Sequence, residues 1–313
     1  MKSKDLLSVS DLSGADIRRL ISMAVDLKAR GWIKMLSGKT LALLFEKPSL
    51  RTRVSFEMAM RQLGGEVIYL SPAEVGLGKR EPVSDVARVL CRYVDAIAAR
   101  TFSHETLEVL AGYSRVPVIN ALSDLEHPCQ TLADLLTIYE KKDVLNGLSL
   151  AYIGDGNNVA HSLMLGAALT GMNFRIASPP GYQVSKKILE QAGKYARENG
   201  AEIFLTEDPH LAARGADIVY TDVWTSMGQE AETEVRRKIF AGYQVNKDLL
   251  SLAKEDVLFM HDLPAHQGEE IAEGMLDDPH SVVFDQAENR LYAQKALLVE
   301  MLSGLEKYLG GDR

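Results

Sequence analysis

Residues Phe45 to Arg53 read FEKPSLRTR, directly after the apolar run Leu41-Ala42-Leu43-Leu44 and directly before VSFEMAM. An apolar run of strand length that breaks at Pro48-Ser49 and passes into a helical pattern is a strand-to-helix junction, the repeating unit of an α/β chain. The junction also poses a charge problem. Arg51 and Arg53 fall in the first helical turn, where unpaired N–H groups and the helix dipole disfavour cations and favour anions. The arginines make sense there if an anion is bound. Ser49 would cap the helix while Arg51, Thr52 and the first-turn amides point at one oxyanion, the usual way of holding phosphate. The competing reading has the arginines facing water or pairing with Glu46 or Glu57.

Outward from this junction the same alternation continues. Short apolar runs recur as TLALLF (40–45), EVIYL (66–70), DAIAAR (95–100), VPVINAL (116–122), LSLAYIG (148–154), FRIAS (174–178), AEIFL (201–205), ADIVYTD (216–222) and VLFMH (257–261). Helical patterns separate most of them, and residues 13–30 open the chain as an amphipathic helix between Ser13 as N-cap and Gly31 as stop. The expected fold class is α/β, with two doubly wound parallel-sheet lobes of four or more strands and helices on both faces. The polar turn KKDVLNG (141–147) divides the lobes, giving residues 1–143 and 144–287. The closing segment ENRLYAQKALLVEMLSGLEKYL is a long amphipathic helix that fits either lobe.

The bulk numbers agree with a compact two-lobed protein: 313 residues, 46% hydrophobic and 25% charged. With 43 acidic and 35 basic residues the net charge is 35 − 43 = −8, which argues against nucleic-acid or membrane-surface partners. Anionic ligands must be drawn by local charge. The start MKSKDLLSVSDLS is too polar for a signal peptide, and no apolar run reaches spanning length. Two cysteines, Cys91 and Cys129, form no disulfide framework, so a cytoplasmic setting is expected.

The chemically suggestive residues follow the C-terminal ends of the strands, where doubly wound sheets bind ligands. In the first half these are Ser49, Arg51, Thr52 and Arg53, then Arg100, then His127-Pro128-Cys129-Gln130. Each alone has a bland alternative: Arg100 as a surface residue, His127 as a helix cap. In the second half Asn158, Asp222, Ser226 and Asp262 offer amide, carboxylate and hydroxyl groups, and VWTSMG and HDLP contain no Arg or Lys. Such a lining suits a ligand with an amino group. Asp222 would otherwise cap a turn and Asn158 a helix, and Met227 alone reads as core filler.

No cofactor and no metal are expected. GDGNNV (154–159) follows a strand, but Val159 occupies the third glycine position of a dinucleotide loop, and no acidic residue closes FRIAS. His261 and His266 flank Pro264, off a common helix face and without a cysteine partner, which disfavours zinc. There is no G-x-x-x-x-G-K-[ST] loop.

Taken in order and spacing, FEKPSLRTR, Arg100, HPCQTLADLLT, GDGNNV, DVWTSMGQE, HDLPAH and FDQAENR resemble the ornithine carbamoyltransferases over essentially the whole chain. The resemblance implies a carbamoyl-phosphate lobe, an ornithine lobe, and a final helix (288–313) returning to the first lobe. It also implies a homotrimer with active sites near subunit interfaces. It assigns Ser49, Arg51, Thr52 and the Leu50 backbone to the phosphate, and Arg100, His127 and Gln130 to the carbamoyl group, with Arg290 assisting. Asp262 and Leu263, in HDLP, belong to the same substrate's surroundings. Asn158, Asp222, Ser226 and Met227 match the ornithine contacts. Arg51, Arg100, His127 and Asp262 are the expected catalytic residues: two donors to the growing carbonyl oxyanion, one to the leaving phosphate, and one residue at the amine.

Two positions depart from the family pattern. Leu50 stands where many relatives have Thr, a small change if the contact is a backbone N–H. Asp262 stands where the family usually has Cys. A reference Asp (pKa ~3.9) is a far weaker base towards an alkyl ammonium (~10.4) than a thiol, and the gap of about 6.5 units is roughly 9 kcal/mol. Asp262 is therefore expected to orient the ammonium electrostatically. The alternatives are a carbamoyltransferase for another amine (putrescine, lysine, an N-acylornithine) or a non-catalytic protein that binds a phosphorylated metabolite. An aspartate substrate would be repelled by Asp222 and Asp262.

Overall fold

The structure is a computed structural model that describes residues 1–78, 80–226 and 228–303. It divides into two compact units, residues 1–136 with the segment from Asn289 onward, and Thr137–Glu288. The division falls inside a helix, upstream of the 141–147 turn.

In the first unit, α1 (Gly14–Arg30) starts at a reciprocal cap, in which Ser13 Oγ accepts from the Asp16 amide and Asp16 Oδ2 accepts from the Ser13 amide. Gly31, at φ +70°, ends it. There follow β1 (Thr40–Phe45), α2 (Leu50–Gln62), β2 (Glu66–Leu70), α3 (Pro72–Val75), α4 (Val83–Leu90), β3 (Ala96–Arg100), α5 (His104–Tyr113), β4 (Val118–Leu122) and α6 (Pro128–Lys142). The strands form a parallel sheet in the order β2-β1-β3-β4. β1 and β3 are buried along nearly their whole length, because helices cover both faces and leave no polar side to the alternation.

The second unit runs β5 (Ser149–Ile153), α7 (Asn158–Thr170), β6 (Asn173–Ala177), α8 (Lys186–Asn199), β7 (Ile203–Thr206), α9 (Pro209–Ala213), β8 (Ile218–Thr221), α10 (Thr233–Phe240), α11 (Lys247–Leu250) and β9 (Leu258–His261). Its parallel sheet has the order β7-β6-β5-β8-β9. Every residue of α7 from Val159 to Thr170 is buried, as expected for a helix apolar all round. Each of the nine apolar runs singled out in the sequence coincides with a strand to within two residues at its start and one at its end.

The last helix, α12 (Val283–Leu302), begins in the second unit and continues into the first. In the second, Gln286 Oε1 accepts from the His261 amide and its Nε2 donates to the Tyr220 hydroxyl. In the first, the fully buried Lys295 ammonium donates to the Gly31 carbonyl at 2.6 Å and to Gln62 Oε1 at 3.2 Å. A cation at the C-terminal end of α1 complements its exposed carbonyls. Arg19 and Glu300 add an ion pair at 2.7 Å. Residues 304–313 of the expected final helix lie outside the described residues. No described helix is long and apolar enough to cross a membrane.

Both sheets reverse their winding direction once: between β1 and β3 in the first unit, and between β5 and β8 in the second. The crevice outside the carboxyl ends of such a pair is where an open α/β sheet receives a ligand.

Candidate active site

The residues expected to carry chemistry in the first unit gather at the β1/β3 reversal. Ser49 sits at the N-cap position of α2, but its side chain makes no cap bond. The capping expected of it is thus not its role; its hydroxyl instead accepts from Arg100 Nη1 at 3.3 Å. Arg100 is the last residue of β3, where the β3–β4 register slips by one residue. Such bulges re-aim side chains beside functional sites. The Glu46 amide donates to the Arg100 carbonyl at 2.8 Å, tying the junction after β1 to the end of β3.

The two arginines of SLRTR have different fates. Arg53 is exposed, pairs with Glu57 at 2.8 Å and lies 3.7 Å over the Tyr69 ring, so the ordinary reading holds for it. Arg51 has no ion pair or side-chain hydrogen bond among the described residues and is half-buried. Leu50 is 75% exposed, so only its backbone can serve the helix start. Thr52 is fully buried and its hydroxyl accepts from Arg290 Nη2 at 2.7 Å. That bond brings α12 to the first turn of α2.

His127 precedes α6 and is 2% exposed. Burial first, and then the guanidiniums of Arg290 and Arg100, hold its imidazole well below the usual range. A neutral ring beside two cations donates a hydrogen bond without adding charge. Cys129, next along, is a packing residue: burial pushes its thiol up to about 12, against the opposing pull of Arg290. Its Sγ donates to the Asn120 carbonyl at 3.4 Å. Gln130 is buried, and its Nε2 donates to Asp134 Oδ1 at 2.8 Å.

In the second unit the β5/β8 reversal collects the carboxylates. Gly154-Asp155-Gly156-Asn157 links β5 to α7. A Cβ on Gly156 would stand 2.2 Å from the Val184 nitrogen, so this glycine is explained by backbone packing on Gln183-Val184. The sequence suggested Asn158 as a helix cap. The cap is Asn157, whose Oδ1 accepts from the Val159 and Ala160 amides while Nδ2 donates to Asp222 Oδ2 at 2.6 Å. Asn158 is the first residue of α7. The Tyr152 hydroxyl donates to Asn157 Oδ1 at 3.2 Å. Burial, followed by Asp222, Asp155 and Asp262, keeps that phenol well above its usual range and protonated.

Asp222 follows β8 directly, and its Oδ1 accepts from the Val223 amide at 2.6 Å. Ser226 is half-buried, its amide donating to Gln229 Oε1 at 3.1 Å; Met227 lies outside the described residues. Sequence reasoning missed a cation here, because it comes from α10. Arg236, 5% exposed, donates through Nη1 to Asp155 Oδ2 at 2.7 Å and to the Trp224 carbonyl at 2.9 Å, and through Nε to Glu232 at 2.9 Å. Burial raises the Asp155 carboxyl, and Arg236 opposes that rise. Arg236 and Asp155 pair with each other, while Asp222 and Asp262 stand together with His261.

Asp262 follows β9. His261 is fully buried; its Nδ1 accepts from the Leu263 amide at 2.9 Å, which places the ring proton on Nε2, 3.2 Å from the fully buried Glu270 Oε1. Glu270 Oε1 also accepts from the His266 amide. Leu263, at φ +59° before a cis Pro264, is half-buried. Asp262 Oδ1 lies 3.6 Å from His261 Nδ1. Ligand atoms of Asp222, His261 and Asp262 lie within 4.8 Å of one another. The ring lone pair is already engaged by Leu263, and both Asp222 oxygens accept hydrogen bonds, so these groups are arranged as hydrogen-bonding partners.

The fold defines a class of two-unit parallel α/β chains, here with cations at one sheet reversal and carboxylates at the other. Residues 4–140 match the carbamoyl-P binding domain of aspartate/ornithine carbamoyltransferases, and residues 146–301 match the Asp/Orn binding domain of the same family. Ornithine carbamoyltransferase from Anoxybacillus flavithermus is 55% identical over 306 residues, covering 96% of this chain and 98% of that protein. The structure of ornithine carbamoyltransferase from Pyrococcus furiosus superposes with a TM-score of 0.93 at 51% identity, covering 96% of this chain and 97% of that one. The Thermus thermophilus ornithine carbamoyltransferase gives 0.88 at 49%, over 96% and 99%. The chain belongs to the aspartate/ornithine carbamoyltransferase family.

Proposed function

We infer that the chain transfers the carbamoyl group of carbamoyl phosphate to the side-chain amine of L-ornithine, yielding L-citrulline and inorganic phosphate. The observation that carries the choice of amine is Asp222 at the β5/β8 reversal, fixed by Asn157 and joined by Asp262, with the nearby Arg236 already neutralised by Asp155 and Glu232. This electrostatic setting favours an ammonium and opposes a dicarboxylate.

In the reaction the neutral amine adds to the carbamoyl carbon, negative charge grows on the carbonyl oxygen, the bond from that carbon to the bridging oxygen breaks so that inorganic phosphate leaves with the bonding pair, and the amine nitrogen loses a proton. Arg100 and neutral His127 donate to the growing oxyanion, a term usually large in acyl transfer. Arg51, the hydroxyls of Ser49 and Thr52, and the α2 amides including that of Leu50 take the phosphate. Arg290 holds Thr52 in that set. Gln130 reads the carbamoyl amide. Asn158, Asp222, Ser226 and Met227 hold the amino acid. Asp262 orients the ammonium, and the proton leaves through water or the departing phosphate. The working assembly is a homotrimer in the cytoplasm.

The test is initial-rate citrulline formation from carbamoyl phosphate and L-ornithine, beside putrescine, L-lysine, N-acetyl-ornithine and L-aspartate, with phosphate release followed in parallel. Strong preference for ornithine is the expected result. Phosphate release driven by another amine alone overturns the choice of substrate. Sedimentation equilibrium at three times the chain mass tests the trimer.

A further inference from the structure

Helix α6 and the residue before it turn a polar stripe inward. His127, Gln130, Thr131, Asp134 and Thr137 are each at most 2% exposed, and their spacing of three and four residues places them on one face. A fully buried carboxylate such as Asp134 is expensive unless hydrogen-bond donors satisfy it. One of its hydrogen bonds comes from Gln130, whose Nε2 donates to Asp134 Oδ1 at 2.8 Å.

A side-chain amide has a donor end and an acceptor end of nearly the same shape, and a carboxylate accepts only. Asp134 therefore selects one of the two amide orientations, with Nε2 turned to itself and Oε1 turned away. Gln130 Oε1 is buried and has no hydrogen bond among the described residues. It lies in the first turn of α6, one turn from His127, whose ring senses Arg100 and Arg290. A buried acceptor held this way beside a neutral donor has the polarity to read a C(=O)NH2 group: donor to the carbonyl, acceptor from the amino group.

We propose that Asp134 is a specificity-determining positioning residue: by locking the Gln130 amide with Oε1 outward, it makes the site select carbamoyl phosphate over acetyl phosphate. The proposal rests on the carbamoyl-transfer reading above and deepens it. Acetyl phosphate has the same shape, with a methyl group in place of the amino group. A polar pocket rejects such an analogue strongly because its buried acceptor is left unpaired. The phosphate end is identical in the two compounds, so this discrimination falls on the acceptor that Asp134 aims.

The experiment measures the KM of carbamoyl phosphate, the Ki of acetyl phosphate as its competitor and the Ki of inorganic phosphate, for wild type, Asp134→Asn, Gln130→Met and the double variant. An asparagine presents either a donor or an acceptor to Gln130, so the amide is no longer held one way round. The ratio of acetyl-phosphate Ki to carbamoyl-phosphate KM should fall about tenfold or more in Asp134→Asn, with inorganic phosphate unchanged within about twofold. In the Gln130→Met background, Asp134→Asn should change the ratio no further, since Asp134 acts through Gln130. An unchanged ratio in Asp134→Asn, or a parallel loss for all three anions, overturns the assignment. If that variant does not fold, Gln130→Met alone decides: an unchanged ratio there overturns it too. A wild-type protein that forms no citrulline overturns the carbamoyl-transfer reading itself. An active wild type with an unchanged variant ratio overturns only the role of Asp134.

Discussion

Asn157 Nδ2 donates to Asp222 Oδ2 at 2.6 Å, while Oδ1 of the same side chain accepts from the first amides of α7. One residue thus fixes the helix that follows β5 and the carboxylate that follows β8. Neither group can move without the other. Replacing Asn157 with Ala should cost about 1 kcal/mol of stability through the lost cap. It should also raise the KM for ornithine about tenfold through the released carboxylate, with the KM for carbamoyl phosphate unchanged. Steady-state kinetics with each substrate varied in turn checks this, and equal losses for both substrates would refute it.

Asp262 stands 3.6 Å from the fully buried His261, whose ring is fixed by Leu263 and Glu270. If Asp262 orients the ammonium as proposed, its value in the reaction is its charge. Asp262→Asn keeps the shape and removes the charge, so the KM for the amine should rise about tenfold, the scale of a hydrogen bond to a charged group. Full kcat and KM for the amine in that variant would sink the assignment.

His127 is held neutral because burial, Arg290 and Arg100 all oppose its protonation. Its ring signals should therefore show no titration as pH is lowered through about 6.5, the ordinary value for imidazole. The sign for stability follows. The unfolded chain takes up a proton at this histidine near that pH and the folded chain does not, so this contribution to stability declines as pH falls below it. His127→Gln should remove that part of the slope in pH-dependent denaturation; a slope identical to wild type would contradict the assignment.

Arg236 and Asp155 form a buried pair at 2.7 Å. Removing one partner strands the other charge, so Arg236→Met should destabilise by about 3–5 kcal/mol, as for other broken buried pairs. Asp155→Asn with Arg236→Met should recover much of that loss, because no charge is then left unpaired. Thermal or urea unfolding of the three variants measures the coupling.

The layout of strands and helices was legible because it is written locally. Apolar runs of strand length, helical periodicity and caps such as Ser13 and Gly31 depend on near neighbours in the chain, and the structure keeps all nine runs as strands. The rule that ligands meet strand ends then pointed to the residues after β1, β3, β4, β5, β8 and β9. It did not say which member of each motif does what. Of Arg51 and Arg53, only the contacts of the Arg53 side chain with Glu57 and the Tyr69 ring show that Arg53 is otherwise engaged. Of Asn157 and Asn158, only the geometry of the β5–α7 turn shows which one caps the helix and reaches Asp222.

Particular pairings between residues far apart along the chain were invisible beforehand. Arg290 reaches Thr52 across 238 positions, and Arg236 reaches Asp155 across 81. The sequence by itself determined the α/β class, the strand inventory, the family resemblance and the segregation of cations and carboxylates between the halves, because periodicity, charge and motif spacing are properties of the chain. The tertiary structure alone decided which charges are already matched, which imidazole stays neutral and which side chains hold others in place. Those depend on distance and burial between residues far apart along the chain, quantities that come into being only when the sheets form.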